Sequence, residues 1–116
     1  MPSDPPATPE RRPMRVGAVI VAAGRGTRMG GALPKQYRPL RGQTVLARCA
    51  ARFATHPDIA RCVVVIHPDD GERARAALPS AAETVAGGAT RAASVAAGLD
   101  ALAGDATHVL IHDAAR

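Results

Sequence analysis

Aromatic side chains are nearly missing from this chain of 116 residues, which has one tyrosine, Tyr37, one phenylalanine, Phe53, and no tryptophan. Its core must therefore be assembled from Val, Ile, Leu and Ala, a composition that suits helices packed on a sheet. Cysteine is equally scarce. Cys49 and Cys62 fall in apolar stretches without C-x-x-C spacing, which reads as two buried free thiols rather than a disulfide framework or a metal cluster. No apolar run reaches the roughly 20 residues that span a bilayer, and the charged, Pro-rich start lacks the apolar segment of a signal peptide. The expectation is a cytoplasmic protein with no membrane partner. Acidic residues are outnumbered, 10 Asp and Glu against 15 Lys and Arg, for a net charge of +5. The cations are spread along the chain with no aromatic-rich motif among them, so a phosphorylated small molecule accounts for the charge and a nucleic-acid partner is not expected.

What is present is ample apolar material, 47% of residues, enough for the core of one domain. Residues 1–14 carry five prolines and little that could be buried, and read as a flexible tail. Three continuous apolar runs follow, Val16–Ala23, Cys62–Ile66 and the shorter Val109–Ile111. Runs without alternation imply strands covered on both faces. Between them the pattern predicts helices from Thr44 to about Thr55, from Asp70 to Leu78 and from Thr90 to Ala103, with a short strand near Glu83–Ala86. In the last helix Ala92, Val95, Leu99 and Leu102 form an apolar stripe, and Thr90 is placed as an N-cap. Strands alternating with helices predict an α/β fold with a mostly parallel, doubly wound sheet.

Three constellations carry chemistry. In Val21-Ala-Ala-Gly-Arg-Gly-Thr-Arg-Met-Gly30 an apolar strand empties into a glycine-rich loop, with Pro34-Lys-Gln-Tyr37 after it. Glycines bring several backbone N–H groups close to an anion, and Arg25, Arg28 and Lys35 add charge that the N–H groups lack. The loop is not the dinucleotide fingerprint, because Met29 stands where the third glycine belongs, and it is not a Walker A loop, because no G-K-[ST] follows. The bland alternative is a surface loop with solvated charges. The second constellation, Gly87-Gly-Ala-Thr-Arg-Ala-Ala-Ser94, feeds a double glycine into a helix N-terminus where backbone can approach a planar base. Ser94 lies off the predicted stripe, free to hydrogen-bond a ligand, although a plain strand-to-helix turn has the same sequence. The third is Leu110-Ile-His-Asp-Ala-Ala-Arg116. It ends a strand on Asp113, suited to Mg²⁺ shared with substrate phosphates, with His112 as a second polar contact. His56, His67 and His108 show no metal-ligand spacing.

Together, Ala22-Ala-Gly-Arg-Gly-Thr-Arg-Met29, Pro34-Lys-Gln-Tyr37, Gly87-Gly-Ala-Thr-Arg91 with Ser94-Val95 and Gly98-Leu99, and His112-Asp-Ala-Ala-Arg116 closely resemble the 2-C-methyl-D-erythritol 4-phosphate cytidylyltransferases. The resemblance covers the chain from about Val16 onward. It implies a Rossmann-like fold of nucleotidyltransferase type, with residues 15–116 as the N-terminal part of that domain in a longer, truncated-here enzyme. The implied reaction is Mg²⁺-dependent transfer of a cytidylyl group from CTP to methylerythritol phosphate, releasing pyrophosphate. By the same resemblance Arg28 and Lys35 stabilise the transition state, and Ala22, Ala23, Gly24 and Gly26 contact the nucleotide. Gly88 and Ser94 help to hold the cytosine, and Asp113 binds Mg²⁺. Ala89 and Ala93 stand where members often carry acidic residues. The family's C-terminal half would grip the acceptor and build a homodimer. A related transferase for another polyol phosphate, such as ribitol 5-phosphate, and a non-catalytic nucleotide-binding module remain the alternative readings.

Overall fold

The structure, a computed structural model, describes residues 13–24 and 33–114. Nearly all of the predicted N-terminal tail lies outside them. The element order is β1 (Val16–Ala22), β2 (Pro39–Leu40), β3 (Gln43–Thr44), α1 (Val45–Ala54), β4 (Ile59–Ile66), α2 (Gly71–Ala77), β5 (Ala82–Ala86), α3 (Arg91–Leu102) and β6 (His108–Asp113). A single turn of 3₁₀ helix, Lys35–Tyr37, precedes β2.

Four strands pair in the order β5-β4-β1-β6, every pair parallel. Alternation along the central strand sends Ala18, Ile20 and Ala22 to one face, where they meet Leu46, Cys49 and Ala50 of α1 and Ala74 of α2. Val19 faces the other way and packs with Val63, Val65 and Leu102 of α3. Helices on both faces of a parallel sheet make the expected doubly wound arrangement. The core is aliphatic, led by Ile20, Leu46, Leu102 and a set of valines. Both cysteines are buried and free. Among the described residues no helix is long and apolar enough to cross a membrane.

Both long helices start on threonine caps. Thr44 Oγ1 accepts from the Ala47 N–H at 2.9 Å and Thr90 Oγ1 from the Ala93 N–H at 3.0 Å, satisfying N–H groups that have no partner within the helix. The hairpin of β2 and β3 was not expected. Its two-residue turn has positive φ at both positions, Arg41 at 53° and Gly42 at 85°, as a type I′ turn demands, and Arg48 donates to the carbonyls of Leu40 and Arg41 at 2.7 and 2.9 Å. β4 and β6 also extend beyond their apolar runs, because backbone pairing with β1 continues from Val16↔Ile59 and Val16↔His108.

The predicted stripe on α3 holds only in part: Leu102 is buried at 2% and Val95 half-buried, but Leu99 is 39% exposed, Ala92 is exposed, and Ser94 and Gly98 are buried instead. The reason is close approach. A Cβ on Gly98 would stand 2.5 Å from Val19 Cγ1 and 3.0 Å from Val65 Cγ2, so the helix settles on the sheet through the small residues Ser94 and Gly98 together with Leu102.

Candidate functional site

The chain winds from β1 outward through β4 to β5, then crosses back to place β6 on the opposite side of β1. At such a reversal the connections leave the carboxyl ends of neighbouring strands in opposite directions, opening a crevice where ligands bind in open α/β sheets. Because all four strands are parallel, the ends of β1 (Ala22–Gly24), β5 (Ala86–Gly88) and β6 (Asp113) share that edge. Three contacts tie them together.

The first joins the Pro-Lys-Gln-Tyr segment to β1. Gln36 Nε2 donates to the carbonyl oxygens of Ala22 and Gly24 at 2.8 and 2.9 Å, and Tyr37 is sunk in the core on the α1 face. With Gln36 and Tyr37 both buried, the 3₁₀ turn leaves Lys35 exposed. The second contact closes the double-glycine turn. The Gly87 N–H donates to the Ile66 carbonyl at 2.7 Å, and the Gly88 N–H donates to Ser94 Oγ at 3.2 Å. Gly87 is confined between strands and helix, since a Cβ there would lie 2.6 Å from Ser94 Oγ and 2.7 Å from Ala23 Cβ. The third runs from α3 to β6, with Arg91 Nε and Nη2 donating to Asp113 Oδ1 and Oδ2 at 3.1 and 3.3 Å.

These contacts place the expected residues unevenly. Ala22, Ala23, Gly24, Gly88, Ser94 and Asp113 gather at the crevice, with Lys35 held next to it through Gln36. Arg28 and Gly26 lie outside the described residues. Ser94 is not off the packed face as expected: it is 2% exposed, and one lone pair of its hydroxyl is already committed to Gly88. His112 is also redirected. Strand alternation turns it to the face opposite Asp113, where its ring lies 5.4 Å from that of Phe53.

Gln36 and Arg91 were quoted within motifs but given no role. A signal for each was present. An arginine in the first turn sits at the positive end of the helix dipole, which disfavours a cation unless an acid is at hand. A glutamine between an exposed lysine and a buried tyrosine has no apolar reason to be buried. Among the described residues no three His, Cys, Asp or Glu side chains group to hold a metal ion. The half-buried Asp113 carboxylate therefore suits only the mode in which one carboxylate and substrate phosphates share a hard cation.

Comparison with known proteins agrees with this geometry. The sequence model of the family IspD, 2-C-methyl-D-erythritol 4-phosphate cytidylyltransferase, matches residues 16–116. The chain belongs to that family. A 2-C-methyl-D-erythritol 4-phosphate cytidylyltransferase of Cereibacter sphaeroides is 55% identical over 108 residues, 89% of this chain and 48% of the relative. A bifunctional enzyme IspD/IspF of Paracoccus denitrificans is 53% identical over 105 residues, 90% of this chain and 27% of the relative. Among solved structures, a 4-diphosphocytidyl-2C-methyl-D-erythritol synthase superposes with a TM-score of 0.70 at 30% identity, over 90% of this chain and 48% of that one. The chain thus spans about half the length of the monofunctional IspD relative. The family match begins at the first residue of β1 and takes in all three site segments.

Proposed function

We propose that this chain carries the nucleotide half of an enzyme that transfers a cytidylyl group from CTP to 2-C-methyl-D-erythritol 4-phosphate. Residues 15–116 are then the N-terminal part of the transferase domain. A phosphate oxygen of the acceptor attacks the α-phosphorus of CTP, a new P–O bond forms, and the bond to the bridging oxygen breaks as pyrophosphate leaves. Two anions must approach, and negative charge grows on the oxygens around phosphorus, so fixed cations and N–H groups lower the barrier. Lys35 supplies an ammonium group beside the end of β1, and Arg28 acts from the glycine loop. Ala22, Ala23, Gly24 and Gly26 line the nucleotide with backbone, and the turn at Gly88, held by the buried Ser94 hydroxyl, takes the cytosine. Asp113 is the residue that would hold Mg²⁺, which when bound neutralises phosphate charge. Arg91, bonded to both carboxylate oxygens, keeps Asp113 oriented for this.

The observation that carries the reading is the meeting of the Lys35 turn, the double-glycine turn and the Asp113 strand end at the one edge where the sheet order reverses, in a chain whose family match spans all three. A homodimer, and the absence of a nucleic-acid partner, belong to the same proposal. In the full-length protein, pyrophosphate release should require CTP, methylerythritol phosphate and Mg²⁺ together, and should stop on chelation. Lys35→Ala should lower turnover by about 10²–10³-fold, the usual cost of one preorganised charge-stabilising group. Wild-type turnover in that variant would remove Lys35 from the reaction. Release with ribitol 5-phosphate in preference would move the reading to another polyol phosphate.

A further inference from the structure

Gln36 has two features that a surface-turn residue does not need. Its side chain is buried, 5% exposed, and its single amide nitrogen donates to two carbonyl oxygens of the backbone, Ala22 at 2.8 Å and Gly24 at 2.9 Å. Those oxygens flank Ala23 and lie 14 and 12 residues earlier in the chain. Both amide hydrogens are used, which fixes the amide orientation, because a flipped side chain would set its oxygen against two carbonyls. The side chain therefore joins the backbone of Ala22–Gly24 to the turn that presents Lys35, which precedes Gln36 directly. Tyr37 anchors the other end of that turn in the core, and the Tyr37 N–H donates to the Pro34 carbonyl at 2.9 Å. The turn is thus held from below by Tyr37 and from the side by Gln36.

We propose that Gln36 is a positioning residue for triphosphate binding: its amide clasp sets the spacing between the β1 backbone and the Lys35 ammonium group, so that one anion can engage both. This rests on the cytidylyltransferase reading for the identity of the nucleotide, but the clasp itself does not. Fixing the spacing of these two segments before the ligand arrives removes an ordering cost from binding, so losing the clasp should weaken CTP affinity even where the fold persists.

Gln36→Glu is the decisive substitution. It keeps the shape, removes both donors, and when ionised directs a carboxylate at two carbonyl oxygens. When protonated it regains one O–H donor. In the full-length protein, at a temperature where far-ultraviolet circular dichroism shows variant and wild type equally folded, CTP affinity by calorimetry should fall at least about tenfold at pH 8, in line with one or two lost hydrogen bonds. The variant-to-wild-type ratio should recover at pH 6. Gln36→Met, of similar length with no donor, should show the loss without the pH recovery, and serves alone if the glutamate variant does not fold. Affinity within twofold of wild type in either folded variant overturns the proposal. Amide hydrogen exchange at Ala23 and Gly24 without nucleotide separates the two readings. Faster exchange in the variants, together with a wild type that does not bind CTP, keeps the clasp and rejects the cytidylyltransferase. Unchanged exchange with CTP bound normally rejects the clasp alone.

Discussion

Cys62 lies in the core on the α1 face with Cys49 in the same cluster. Burial, helped by the nearby Cys49 and Glu83, pushes its thiol up to about 11 from an ordinary 9.0. Burial also raises Cys49. A thiol held neutral is a poor nucleophile, since the thiolate is the reactive form. Both cysteines should therefore resist a disulfide reagent at pH 8 in the folded protein and react at once in denaturant. The same shift has a consequence for stability. Because the folded value lies above the unfolded one, the stabilising contribution is complete below about pH 9 and is lost as pH rises toward 11. The urea midpoint should fall between pH 8.5 and 10.5, and the fall should shrink in Cys62→Ala. A midpoint drop of equal size in that variant would assign the alkaline loss to other groups. The sequence showed as much as it could here: two cysteines in apolar stretches without ligand spacing imply inert thiols, and that is what the fold makes of them.

Elements were legible where backbone pattern alone decides them. Three of the four sheet strands follow from unbroken apolar runs, the fourth was placed as a short strand near Glu83–Ala86, the three helices follow from helical spacing with Thr90 as a cap, and the strand ends mark the carboxyl edge. What could not be read was decided by contacts between distant segments. The β2–β3 hairpin is two short strands around Arg41 and Gly42, with no alternation to announce it. The α3 face was read correctly at Leu102 but misjudged at Ala92 and Leu99, because periodicity counts large side chains, whereas this helix also approaches the sheet through Ser94 and Gly98. Gln36 and Arg91 took their roles from partners 12 to 14 and 22 residues away, which spacing does not reveal. The helix interface makes a direct prediction. Gly98→Ala places a methyl group 2.5 Å from Val19 Cγ1, and overpacking of this kind costs about 1–3 kcal/mol, more than the few tenths to one gained from better helix propensity. The urea midpoint should drop with an unchanged slope. Gly104→Ala, where φ is 85° and no described atom lies within 4 Å of the added carbon, isolates the backbone effect from the packing effect. If Gly98→Ala were neutral or stabilising, α3 would not rest on β1 through that residue.

The two ends of the sheet differ in how they are finished. At the amino end Arg61 of β4 donates to Glu83 of β5 at 2.6 and 2.8 Å and to Asp105 at 2.8 Å, lowering the Glu83 carboxyl and tying β4, β5 and the approach to β6 together. The lateral edge at β6 has no such finish among the described residues. Leu110 and Ile111, neighbours that point to opposite faces, are 50% and 45% exposed, and on the Leu110 side runs a groove of about 700 Å³ lined by Leu40, Phe53, Ile59 and Leu110. An apolar strand that, among the described residues, has an open edge and a half-exposed apolar residue on each face is a template for pairing with another chain. The 116-residue chain on its own should therefore self-associate with rising concentration and bind a hydrophobic dye, as seen by light scattering and fluorescence. Leu110→Lys should suppress both, because the charge sits on the exposed half of the strand and costs little in the monomer. In full-length protein the same substitution tests whether that face is buried. A large loss of stability there, against a gain in solubility for the 116-residue chain, would show that β6 lies inside the complete domain, and a monodisperse, dye-free short chain would show that the edge is already protected.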